Sequence, residues 1–503
     1  MDLVETEDSA VDEVVSSFER AIGVTNVRFS REQVGDRQFL KFCVGRKAPF
    51  YTNALRRVQH LLDPENPFRG AVTIKVVPTE ESFPNSLEAS ALLTLLTRST
   101  REVSEGNSNR GYTVPYIPFQ NREDHQLAQP ASHIVRGRRG VGKSTLIGRA
   151  KEILRAETTH IVVLDMQAYS MLEADELYTE VLHDVCRKFA STASGVLAQN
   201  LIKIADNILN GKLKITRGPI AIKRAIGDLT ESTNSQAFLF LDDFHLIEQK
   251  FQPKLLHYLN ASLKGANGWL KIAGLSSLLN VYSPKSREGL QVPGDAQFIP
   301  LDLTLENPEA AENHLRAILE NFLNAVGYKL TQGIIPKKSF RRLVWATAGV
   351  PRDFLQMFAR ALEHAQRNKH STVTISDVNM VIGEFGQQKM DDLLLDARNE
   401  ADILKNFLKK IEEKCLEEKK VNAFLIRSEQ SKERELVHAL SDLRMIHLIH
   451  RSITPDRAGE PYEAYIIDYS IFTGFRRRRN VREMIPDEAQ FKAAELRALP
   501  KIT

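Results

Sequence analysis

The chain has 503 residues, 42% hydrophobic and 26% charged. At about 150 residues per domain this predicts roughly three globular domains, and the composition excludes a mainly disordered, collagen-like or coiled-coil chain. Lys and Arg number 68 against 64 Asp and Glu, a net charge of +4; this balance neither demands nor excludes nucleic acid, because a local basic face would be hidden in the sum.

Residues 9–22 read as an amphipathic helix, with Val11, Val14, Val15, Phe18 and Ile22 on one face and Ser9 with Asp12 resembling a capping box. Asn26 to Val44 reads as strands, with Phe39, Leu40, Phe42 and Val44 in the second, and 51–62 and 86–98 read as helices. Residues 1–114 are thus expected to form a small α+β unit, serving either as scaffold or as a dock for a protein effector. Residues 101–130 are polar and carry Gly106, Gly111, Pro115, Pro118 and Pro130, a linker composition.

From about residue 115 to 305 short apolar runs alternate with helical stretches: Ile134-Val135, Ile161 to Leu164, Ala237 to Leu241, Leu270 to Leu275 and Phe298 to Leu303. This alternation predicts an α/β domain with a parallel sheet and crossover helices, and residues 190–233 form a longer helical insert. Residues 306–397 read as all-helical, opened by Asn307 as cap and Pro308 at the first helical position. From 398 to 503 a long helix, the strand Val421 to Ile426, the helix Lys432 to Met445 and the strands His447 to Ile453 and Tyr462 to Ile467 follow in the order of a winged helix. A run of four arginines and a polar tail close the chain.

The three cysteines, Cys43, Cys186 and Cys415, are too scattered for a disulfide framework or a zinc site and fit a reducing compartment. The acidic start lacks the basic and apolar regions of a signal peptide, and no apolar run approaches the roughly 18 residues of a membrane span. A cytoplasmic protein with no membrane partner is expected.

The most specific signal is Gly137-Arg138-Arg139-Gly140-Val141-Gly142-Lys143-Ser144, which fits G-x-x-x-x-G-K-[ST] between a strand and a helix. Gly137, Gly140 and Gly142, with Val141, let the backbone wrap around a polyphosphate with its N–H groups inward. The following helix, entered through Lys143, Ser144 and Thr145, points its positive end at the same anion. Lys143 is expected on the β- and γ-phosphates of ATP and Ser144 on Mg²⁺.

About a hundred residues on, Phe238-Leu239-Phe240-Leu241-Asp242-Asp243 is a buried strand ending in two carboxylates, at the edge where parallel sheets bind ligands. Asp242 is expected to support the Mg²⁺ shell and Asp243 to orient or deprotonate the attacking water; two such carboxylates otherwise open a turn. His245 just beyond reads as structural.

With these motifs the sequence resembles the AAA+ ATPases of the origin-recognition type and their prokaryotic relatives, over about residues 115–390 and more loosely in the terminal winged helix. The resemblance implies ATP bound between the α/β domain and a helical lid. It assigns the sensor 1 role to Ser276 or Ser277, in Ala273-Gly274-Leu275-Ser276-Ser277, although the family often has Asn or Thr there. It assigns sensor 2 to Arg352, in Gly349-Val350-Pro351-Arg352-Asp353. An arginine finger on a neighbouring subunit of a homo-oligomer would fall near Lys285 and Arg287, neither in a clear motif.

Double-stranded DNA is a candidate partner. The helix Lys432 to Met445 would enter a major groove, but its charges are of mixed sign; Arg457 in the wing and Arg476, Arg477, Arg478 and Arg479 suit phosphates better. The expected function is an ATP-hydrolysing, DNA-associated switch in a mobile-element, defence or replication-like process. The alternative is a nucleotide-dependent signalling switch that acts on a protein without DNA.

Overall fold

The structure is a computed structural model and describes residues 2–78, 80–105, 114–155, 158–301, 303–329, 333–397, 401–429, 431–454, 459–473, 481–484 and 491–502. Contacts divide the chain into two compact units: one is Pro118–Asp302 with Glu429–Arg444, and the other is Met1–Ile117, Leu303–Ser428 and Met445–Thr503.

The first unit is built on five strands: β1 (His133–Arg136), β2 (Thr159–Asp165), β3 (Gln236–Asp242), β4 (Gly268–Gly274) and β5 (Gln297–Pro300). They pair in the order β5-β1-β4-β3-β2, all parallel. Each strand coincides with one of the five apolar runs. Ala237 to Leu241 are wholly buried, because helices cover both faces of a parallel sheet. The chain leaves β1 for the far edge, returns strand by strand to β4, and crosses to the other side of β1 for β5. This makes β1 the topological switch point, where a crevice opens beyond the strand C-termini. β2 is one of the sheet's two edge strands; beside it Lys188 Nζ donates to the carbonyl of Val163 (2.9 Å).

The helical insert between β2 and β3 comprises Ala174–Ala190, Gly195–Leu209 and Gly218–Thr233. Their apolar faces, including Leu182, Phe189, Leu201, Ile222 and Leu229, join the sheet in one core. The linker reading of residues 101–130 is corrected in part. A helix runs on to Glu105, and Glu123–Ala128 forms a short helix with Leu127, Glu123 and Asp124 buried.

In the second unit, the helix Asp2–Ile22 puts Val11, Val14, Phe18 and Ile22 into a core, where Phe18 stacks on Phe42 at 4.1 Å. The helix starts well before Ser9, so Ser9 and Asp12 lie inside it and form no capping box. Strands Phe29–Val34 and Arg37–Val44 pair antiparallel, and a third strand, Val72–Val76, which the sequence reading lacked, adds parallel to the second.

The all-helical stretch consists of Pro308–Ala325, Lys337–Ala346, Pro351–Arg367 and Ile375–Ala397. Asn307 caps the first as expected, its side chain accepting from Ala310 N at 3.1 Å. Strands Ala423–Arg427, Ile446–Ile453 and Tyr462–Ile467 form an antiparallel sheet with Tyr462–Ile467 in the middle. Buried Asp468 is held by Lys389 Nζ and His447 Nε2 (2.6 Å), and Asp353 lies 3.9 Å from the same ammonium. No described helix is long and apolar enough to cross a membrane.

Candidate functional site

The predicted phosphate loop joins β1 to the helix Lys143–Leu154. Gly140 and Gly142 take φ +81° and +103°, a region open to glycine and strained for other residues. A Cβ on Gly142 would meet nothing within 4 Å, so backbone conformation, rather than space, demands glycine there. Gly137 N donates to Gly274 O at 3.4 Å, fastening the loop's start to the end of β4. Gly137, Val141 and Lys143 are buried and Thr145 is exposed.

Lys143 Nζ donates to the carbonyls of Gly137 (2.9 Å) and Arg138 (3.0 Å). Its ammonium is therefore held inside the loop, where an anion would meet it. The Ser144 hydroxyl and the Lys143 ammonium both favour the charged form of the Asp242 carboxylate. Three elements of the reading, the loop lysine, the loop serine and the first strand-end carboxylate, thus converge.

Asp242 is the last residue of β3. Burial first, and then the neighbouring Asp243, push its carboxyl up to about 6 from the ordinary 3.8, against the Ser144 hydroxyl, the Asp243 N–H and Lys143. A carboxylate so enclosed prefers to lose its charge or find a cation. Ser144 and Asp242 therefore fit a Mg²⁺ ion, which takes one or two carboxylates and leaves its remaining positions to phosphate and water. Among the described residues no group of three or more His, Cys, Asp or Glu is arranged to hold a metal by itself.

Asp243 takes φ +51° and opens the short helix Phe244–Leu246, the turn-opening place such a carboxylate can take. Its carboxylate is 42% exposed and lies 3.9 Å from His245 Nδ1, free to meet a solvent molecule beyond the sheet. Ser276 and Ser277 form a 3₁₀ turn just past β4. The Ser277 N–H donates to Asp442 Oδ2 at 2.6 Å.

Arg287 has φ +56° and is exposed at the tip of a hairpin made by Tyr282–Ser283 and Glu288–Gly289; Lys285 is exposed on the same tip. Arg352 stands in the first turn of Pro351–Arg367, in the other compact unit. Arg457 and Arg476 to Arg479 lie outside the described residues.

Asp442 was not found from the sequence. It ends the helix Lys432–Asp442, and the chain turns there because Arg444 takes φ +64°. The helix stops three residues short of the expected Met445. Val437, Leu440 and Asp442 are buried, Lys432 and Glu435 are exposed and the rest of the helix is half-buried, and by its contacts the segment Glu429–Arg444 belongs to the unit that holds the phosphate loop. Arg136, at the end of β1, lies over the Phe298 ring at 3.3 Å. Burial lowers its pKa and the charge of Asp442 partly restores it.

No family model matches the sequence, and no curated protein matches it. Solved structures to which the chain is similar include Drosophila ORC bound to DNA, at 12% identity and TM-score 0.37, over 82% of this chain and 94% of that one. Cdc6p from Pyrobaculum aerophilum is 13% identical with TM-score 0.37, over 73% and 94%. The Aeropyrum pernix ORC1 protein in complex with DNA is 14% identical with TM-score 0.35, over 71% and 91%.

Proposed function

We propose that the chain binds ATP with Mg²⁺ at the crevice beyond β1, β3 and β4 and hydrolyses it as a nucleotide-driven switch. The observation that carries this reading is the buried Lys143 ammonium, held inside the glycine loop on the carbonyls of Gly137 and Arg138, at the switch point of a parallel sheet. In this reading the loop N–H groups and the N-terminus of Lys143–Leu154 bind the phosphates. Lys143 exchanges its two carbonyl partners for phosphate oxygens. Mg²⁺, held by Ser144 and Asp242, would neutralise charge on the β- and γ-oxygens. Asp243 orients the attacking water and takes its proton, and Ser276 steadies the γ-phosphate.

We further propose association with double-stranded DNA through Arg476, Arg477, Arg478, Arg479 and Arg457. A protein effector docked on residues 1–114 is the second reading. The mixed charges of Lys432–Asp442, with Glu433, Glu435 and Asp442 among them, favour it, since acidic side chains suit a phosphate-lined groove poorly. A homo-oligomer that supplies Arg287 in trans belongs to the first reading.

The test is steady-state ATP hydrolysis with and without duplex DNA at two salt concentrations, with Lys143→Ala as control. Salt-sensitive stimulation that vanishes in the variant supports the DNA-coupled switch. Slow, Lys143-dependent turnover indifferent to DNA supports the protein-directed one. Turnover unchanged in Lys143→Ala refutes the site.

A further inference from the structure

The helix Lys432–Asp442 ends on the groups that surround the phosphate loop. Ser431 caps its start, its Oγ accepting from Arg434 N at 3.2 Å. Val437 and Leu440 are buried on its apolar side. At its end, Asp442 makes two contacts. Oδ2 accepts from the Ser277 N–H at 2.6 Å, and the main-chain carbonyl accepts from the Arg139 N–H at 3.5 Å. The first donor follows β4 and the second lies within the phosphate loop. Arg136, at the end of β1, feels the same carboxylate. Asp442 and Arg444 are 7% and 4% exposed, so the contact is a seated one.

A carboxylate bonded to a backbone N–H at a strand C-terminus, beside a phosphate loop, is an anion in an anion's place. The loop itself is closed by its own lysine on Gly137 and Arg138. A triphosphate entering the loop would bring more negative charge toward Asp442 and draw on the same neighbourhood of N–H donors. Two anions competing for one set of donors repel.

We propose that Asp442 is the latch of an autoinhibitory contact: the helix Lys432–Asp442, seated on Ser277 and Arg139, and a nucleoside triphosphate in the phosphate loop exclude one another. The proposal rests on the reading of the loop as a nucleotide site. Binding of ATP expels the carboxylate from the Ser277 N–H and frees the helix. Loss of the triphosphate lets it return. The seated end of the helix in this structure is then one of two states, and the nucleotide selects between them by its different affinity for each.

The experiment is amide hydrogen exchange over residues 432–444 of the full chain, without nucleotide and with saturating ATP and Mg²⁺, together with ATP affinity for wild type and Asp442→Ala. In the free wild type the segment exchanges slowly, and ATP speeds exchange by about tenfold or more. Asp442→Ala exchanges rapidly without nucleotide and binds ATP about tenfold more tightly, equivalent to 1.4 kcal/mol. Wild type that binds ATP with the segment equally protected overturns the latch and leaves the nucleotide site standing. ATP binding by Asp442→Ala but not by wild type supports a latch held shut. Binding by neither overturns the latch together with the nucleotide reading. The exchange measurement on wild type needs no variant, so poor folding of Asp442→Ala does not protect the proposal.

Discussion

Replacing Asp242 by Asn should stabilise the nucleotide-free protein while disabling its site. In the folded chain the carboxyl is raised to about 6 from 3.8, chiefly by burial and then by Asp243. Each pKa unit is worth 1.36 kcal/mol, so holding Asp242 ionised in the folded state costs about 3 kcal/mol, or about 2–3 after allowing for its partial contact with solvent. Asn keeps an oxygen for the Asp243 N–H, which now donates to Asp242 Oδ1 at 3.0 Å, and carries no charge. The sign follows from proton linkage. Between 3.8 and about 6 the folded state holds more protons than the unfolded one, so this group's contribution to wild-type stability falls as pH rises through that window. The cost is fully present above it and absent below it. Urea unfolding at pH 7.5 should therefore show Asp242→Asn more stable by about 2–3 kcal/mol, and at pH 5 by about half as much. ATP with Mg²⁺ should narrow the gap by stabilising wild type alone. A variant less stable than wild type at pH 7.5, or an advantage equal at both pH values, would refute the account of Asp242 as a carboxylate awaiting a cation.

Lys271, buried in β4, donates to the carbonyls of Gln129 and Ala131 (2.6 Å each) and lies 2.9 Å from His133 Nδ1, and burial pulls its pKa down to about 6. The unfolded chain holds the extra proton between about 6 and 10.5, so stability should rise with pH across that range, by up to about 1.4 kcal/mol per pH unit. Denaturant titrations at pH 7 and 9 should show this slope in wild type and lose it in Lys271→Met. Gly349 has φ +79°, and a Cβ there would stand 2.6 Å from Leu303 O, so Gly349→Ala should cost about 2 kcal/mol or more in chemical unfolding. Asp468→Asn leaves the buried ammonium of Lys389 with the more distant Asp353 carboxylate at 3.9 Å and should cost about 3 kcal/mol. The double variant Lys389→Met with Asp468→Asn should recover part of that loss, and a double variant no better than the single one would count against the pair.

The five core strands were legible because each is a short apolar run set between helical stretches, as Ala237 to Leu241 shows by its complete burial. The loop was legible for a related reason: its chemistry is contiguous, and the φ values of Gly140 and Gly142 are written directly as glycines. Val72–Val76 was missed because it is five residues long with its last two exposed, too weak an alternation to stand out. The helix Glu123–Ala128 was hidden by Pro118 and Pro130 on either side. Asp442 lay furthest from view. It meets Ser277 across 165 residues of sequence, and its role is set by tertiary contact, whereas the same helix read alone presents mixed charges and a capping Ser431 that suit many surroundings.

The edge strand β2 has a further consequence. An outer strand of a parallel sheet leaves a row of main-chain donors and acceptors without a neighbour, which invites a strand from another molecule to add itself there. Lys188, reaching across from the helix Ala174–Ala190, spends its ammonium on the carbonyl of Val163 in the middle of that row. It fills an acceptor and sets a full charge where a newcomer's backbone would lie. One side chain thus guards this edge of the sheet against an added strand.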